Sequence, residues 1–125
     1  MNKRIYKGNI VSILYGLSNR DYQENIWLNR NNPRGLVDSF VETVNMLFDD
    51  CVVGDYLQEG QILFDRSVTK ALIDLHEATD AVNEFRPEEE IVTDPLMRVV
   101  REKAARVLAL IHASDGREST VDILD

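Results

Sequence analysis

The 125-residue chain contains one cysteine, three prolines, six glycines and a single tryptophan. One cysteine cannot close an internal disulfide, so the core must hold the fold, and nothing points to an oxidising compartment. No run approaches the roughly 18–20 apolar residues of a membrane span, and the opening MNKRIYKGNI lacks the apolar stretch of a secretory signal. Alternating strand-like patterns are scarce, and there is no internal repeat or low-complexity segment. A glycine-rich phosphate loop, a G-x-S-x-G elbow and a dinucleotide fingerprint are all missing. A cytoplasmic protein without membrane contact is the expectation.

Apolar residues make up 44% and charged residues 29%, the balance of a globular chain rather than a disordered one. This length supports one core, so residues 1–125 are read as one domain. The net charge of −8 is unevenly spread. Residues 1–34 carry six Lys/Arg against two Asp/Glu, 35–97 carry three against fifteen, and 98–125 carry five of each. Such a middle segment repels nucleic acid and attracts a basic surface.

Helical spacing dominates. Ile10, Ile13, Leu14 and Leu17 form one stripe of a helix over about 8–18. Ser18 or Asn19 can cap a second, short helix through Tyr22, Ile26, Trp27 and Leu28. Pro33 and Gly35 break the chain, and a third helix over 36–50 is expected to bury Phe40, Val41, Val44, Leu47 and Phe48. Gly54 and Gly60 bracket a loop or short helical turn. The longest expected helix runs over 65–85, capped by Asp65 or Ser67 and ended by Pro87. Residues 86–93 read as an acidic linker before a helix that Asp94 caps and Pro95 opens, reaching about 113. The expected fold is therefore all-α, a bundle of about five helices with the last two packed as a pair. Residues 114–125 form a tail that either docks through Val121, Ile123 and Leu124 or stays loose until a partner binds.

Several patterns resemble sites of chemistry without completing them. A calcium loop starting at Asp49 has Gly54 where a glycine is needed, but Cys51, Val53 and Gly60 fall on ligand positions. The stretch HEATD at 76–80 puts Asp80 where a zinc helix has its second histidine, and His112 could join only through tertiary packing. Cys51 beside Asp49 and Asp50 lacks the electropositive setting that makes a thiolate. Lys3, Arg4 and Lys7 are too few and too bare of aromatics to read as a phosphate-binding patch. Trp27 and Tyr22 read as packing residues. No metal, cofactor or catalytic residue is expected.

The 65–85 segment is more informative. Val68, Leu72, Leu75 and Val82 share its core stripe, and Asp74, Glu77, Asp80 and Glu84 gather on the other side with Lys70 and Ile73. Acidic helix faces are by default solvated. Here the acidic excess continues through Asp55, Glu59 and the Glu88–Glu89–Glu90 run, and Ile73 can anchor a contact ringed by charge.

At YGLSNRDYQENIWL and FVETVNMLFDDCVVGD the chain resembles a family of small, acidic, all-helical bacterial proteins. The resemblance rests on Gly16-Leu17-Ser18, Asp21-Tyr22-Gln23, Trp27 and Leu47-Phe48-Asp49-Asp50, and extends over about 10–110. That family includes immunity proteins of contact-dependent growth inhibition systems, which protect the producing cell from a toxin encoded beside them. The resemblance implies no catalytic motif, and it implies that Asp49 and Asp50 shape a helix end. The expectation is a non-enzymatic inhibitor of a toxin with a basic surface, such as a nuclease, bound through Asp74, Glu77, Asp80, Glu84 and Ile73, with Asp55 and Glu59 second. The alternative is a regulatory or scaffold protein for a cellular partner; a metal-dependent hydrolase built on Asp49 and Asp50 ranks last.

Overall fold

Ile10, Leu14 and Leu17 are the fully buried stripe of α1 (Lys7–Ser18) in a computed structural model, which describes residues 4–125. Lys3, one of the amino-terminal basic residues, lies outside the described residues. Asn19 caps α2 (Arg20–Tyr22), its side-chain oxygen accepting the Tyr22 N–H at 2.9 Å. The chain continues in a wide π turn, Gln23–Trp27, that delivers Gln23 and Trp27 to the core. The Trp27 ring meets Phe40 edge-on at 6.3 Å.

Gln23 is wholly buried and fully used. Its amide donates to the carbonyls of Gly16 and Leu17 at 3.1 and 2.9 Å, satisfying acceptors that the end of α1 would otherwise orphan. Its oxygen accepts from Arg101 at 3.0 Å, and Arg101 also reaches the Val92 carbonyl at 3.2 Å. One side chain thus ties together three parts of the chain.

The third helix begins at Phe40 rather than at 36. The Asn32 side chain accepts the Leu36 N–H and donates to the Leu36 carbonyl, at 2.9 and 2.7 Å, and so competes with helix formation there. Ser39 is extended and its hydroxyl accepts the Glu42 N–H, capping α3 (Phe40–Asn45). A second π turn, Met46–Asp50, follows, and Val52 at φ 56° swings the chain into α4 (Val53–Gln58).

The helix expected over 65–85 runs only from Arg66 to Asp80, as α5, with Asp65 accepting the Val68 N–H at 2.8 Å. Pro87 does not end it. The Val82 N–H reaches the Thr79 carbonyl at 3.2 Å, which turns Val82 into the core. Asn83 then accepts the Phe85 N–H on its side chain at 3.0 Å and Arg86 Nε on its carbonyl at 2.8 Å. Glu84 therefore lies on a loop, beyond the helix whose face it was expected to share. The acidic segment that follows is not a linker either. It forms α6 (Glu88–Val92), with Ile91 and Val92 fully buried and its three glutamates in the first turn, where the helix dipole favours acids.

Asp94 caps α7 (Pro95–Ala113) as expected, and Met97, Val100, Ala104, Val107 and Ile111 turn inward. α7 packs along both α1 and α5. The architecture is all-α, with seven helices instead of five among the described residues, α4 and α6 being the additions. The exception is a two-residue parallel pairing of β1 (Ile5–Tyr6) with β2 (Ile123–Leu124). The tail is docked: Val121 is buried, and the Thr120 N–H donates to the Ile62 carbonyl at 2.8 Å.

Candidate functional site

α5 commits Val68, Leu72 and Leu75 to the core and leaves Ile73, Asp74, Glu77 and Asp80 on its outer side, with Ile73 40% exposed. α3 flanks that side. Phe48, just past α3, sets its ring edge-on to His76 with centroids 4.6 Å apart, while Val44 and Phe40 face residues 79–85. Residues 40–48 therefore border the end of α5 and the loop that follows it. α4 closes in from the other end because residue 54 is glycine: a Cβ there would come within 2.9 Å of the Phe48 carbonyl oxygen.

Two grooves follow one another along α5. The first, about 550 Å³, has a floor of Phe48, Leu57 and Ile73 and is rimmed by Asp49, Asp55, Gln58, His76 and Glu77. The second, about 220 Å³, lies among Phe40, Val44, Val82 and Phe85 and is rimmed by Asp80, Asn83 and Glu84. Among the described residues five carboxylates line the furrow these two grooves make, with His76 as the basic residue beside them, and a further groove that shares Leu57 and Ile73 with the first adds Arg66 and Lys70. His76 Nδ1 stands 3.6 Å from the Asp80 carboxylate. The negative surface extends past the start of α3. There burial holds the Glu88 carboxyl above the usual range, the Phe40 N–H opposes this by donating to it at 3.3 Å, and Asp38 and Glu42 raise it further.

Of the residues singled out from the sequence, Asp55, Ile73 and Glu77 come together in the first groove, and Asp80 meets Glu84 in the second. Asp74 lines neither, and Glu59 ends α4 outside both. Asp49, His76, Phe48 and Phe85 join the surface unforeseen. Asp49 had read as a helix end, and only the approach of residues 48–58 to α5 makes it a groove residue. For Phe85 a signal did exist: it is an aromatic alone in the polar run Asn83–Glu84–Phe85–Arg86.

The patterns suggestive of chemistry stay apart. Among the described residues no three His, Cys, Asp or Glu side chains gather as metal ligands. Burial, and secondarily Asp50, push the Cys51 thiol up, away from thiolate. His112 is exposed at the far end of α7, and Lys7 shares a pocket with Asp115, Asp122 and Asp125 instead of joining a basic patch. Among the described residues no helix is long and apolar enough to cross a membrane. Comparison with models of known families, with curated proteins and with solved structures found no match.

Proposed function

We propose that this chain is a cytoplasmic immunity protein that neutralises a cognate toxin, a nuclease with a basic cleft, by seating the acidic furrow of α5 on that cleft. The observation that carries this reading is the lining of the two grooves: among the described residues Asp49, Asp55, Glu77, Asp80 and Glu84 follow one another, and Arg66 and Lys70 stand only in the adjoining groove beyond Ile73. A nuclease grips phosphates with lysine and arginine side chains. Carboxylates gathered from α4, α5 and the segments beside them offer the same charge, and their bulk excludes the substrate. Charge accelerates encounter, and the apolar floor of Phe48, Leu57 and Ile73 can be desolvated in the complex. No bond is made or broken; inhibition is occupancy.

Co-expression with the polypeptide encoded immediately upstream tests the reading, with growth of the host as the readout. In the purified pair, Glu77→Lys with Asp80→Lys does not lower Tm, because both side chains are exposed and their mutual repulsion is relieved, and slows association roughly tenfold or more at low salt. The difference from wild type narrows as salt is added. Association undiminished at low salt would remove this face from the interface.

A further inference from the structure

Ile73 is 40% exposed, and it does not stand alone on the surface. With Leu57 of α4 it lines both the first groove and the adjoining one, of about 240 Å³, so the two side chains form an apolar saddle between two hollows. The hollows differ in charge. Asp49, Asp55 and Glu77 line the first, whereas Arg66 and Lys70 line the other. At about 100° per residue Arg66, Lys70, Ile73, Glu77 and Asp80 fall on one stripe of α5, and the sign of the charge reverses at Ile73.

This order runs against the helix dipole. α5 has no acid in its first turn and no base in its last; Arg66 stands at the positive end and Asp80 at the negative one. Helix stability alone favours the opposite order. Neighbours answer part of the charge: Glu118 pairs with Arg66 at 3.1 Å, His76 Nδ1 lies 3.6 Å from Asp80, and Asp74 follows Lys70 by one helical turn. Lys70 itself is in no ion pair among the described residues. It is therefore the cation of this stripe left to meet a partner.

We propose that the Leu57–Ile73 saddle receives an apolar side chain of the protein partner, flanked there by a lysine or arginine over Glu77 and by an aspartate or glutamate over Lys70. This rests on the reading above and adds the orientation in which the partner is held. Net charge draws a basic protein to the furrow in any pose. A surface that changes sign across an apolar contact selects one pose, since the reversed one sets like charges together. A second copy of this chain carries the same net charge of −8 and is repelled.

Kinetics of the full chain against the polypeptide encoded immediately upstream, at low salt, test this. Lys70→Glu is the decisive variant, because it makes the chain more acidic. If the negative field alone governed binding, association would quicken and koff would be no higher than in wild type. The saddle predicts instead a koff raised roughly tenfold or more. Ile73→Ser is expected to raise koff likewise, with the association rate and its salt dependence those of wild type. Both side chains are exposed, so both variants fold, which circular dichroism checks. A wild-type koff in either variant overturns the saddle while leaving the acidic furrow standing. So does a wild-type chain that sediments alone as a dimer dispersed by Ile73→Ser, which would give the saddle to a second copy. Failure of the wild-type chain to bind that polypeptide overturns the immunity reading, and the saddle with it.

Discussion

The hydroxyl of Tyr22 donates to Asp38 at 2.8 Å, and burial, then that hydrogen bond and the charge of Asp38, raise its pKa from 10.0 to about 12. A folded-state pKa above the unfolded value means that this stabilisation is complete below pH 10 and is lost as pH rises through about 12. Tyr22→Phe is therefore expected to cost about 1 kcal/mol at neutral pH, the net worth of one hydrogen bond, and to flatten the alkaline fall in stability. Urea unfolding at a series of pH values measures both. A variant that weakens between pH 10 and 12 as steeply as wild type would assign the fall to other groups. The ring also packs closely on Gly16, where a Cβ would approach it to 3.0 Å and require it to give by a few tenths of an ångström. Tyr22 and Trp27 read as packing residues from the sequence, and both are; the acidic partner of the hydroxyl, 16 residues away, could not be read there.

Among the elements, α1, α5 and α7 were legible because each repeats its apolar residues over several turns, and a stripe that long has few alternative placements. Their neighbours were not. α6 buries only Ile91 and Val92, too few residues to show a period, and it hides within an acidic run. α3 starts late because Asn32 binds the backbone of Leu36, and α5 stops early because Thr79 and Asn83 take up the amides that follow. These are side-chain and loop choices that apolar periodicity does not register. The packing of α4 gives an element-scale prediction. Gly54→Ala places a methyl against the Phe48 carbonyl, a backbone atom that cannot rotate away, so α4 must shift. The expected loss is about 1–3 kcal/mol, read by chemical denaturation, and the first groove should change with it. Unchanged stability would mean that α4 approaches the Phe48 carbonyl less closely than described.

For the whole molecule, charge is the property composition states most plainly. The segment 35–97 carries fifteen acidic residues against three basic ones, and the fold gathers five of those acids along one furrow with Asp38, Glu42 and Glu88 beyond its end. Compact like charges repel, and salt screens them over about 8–10 Å at physiological ionic strength. Raising sodium chloride from about 10 to about 300 mM is expected to increase Tm, a change that the fluorescence of the single tryptophan can follow. A Tm that falls with salt would show that attractive pairs, such as Arg30 with Glu89 and Arg66 with Glu118, outweigh that repulsion.

The all-α class, the strongest helices and the acidic middle follow from composition and periodicity, because burial of a repeating stripe and the count of charges depend on the order of residues alone. Tertiary structure decided which acids form one surface. Asp49 and Asp55 are brought to Glu77 by the passage of α3 and α4 against α5, Glu84 is moved from helix to loop, and Asp74 is left outside. Neighbourhood between residues distant in the chain is set by how helices pack, and a charge or an exposed ring acquires a partner only through its neighbours in space.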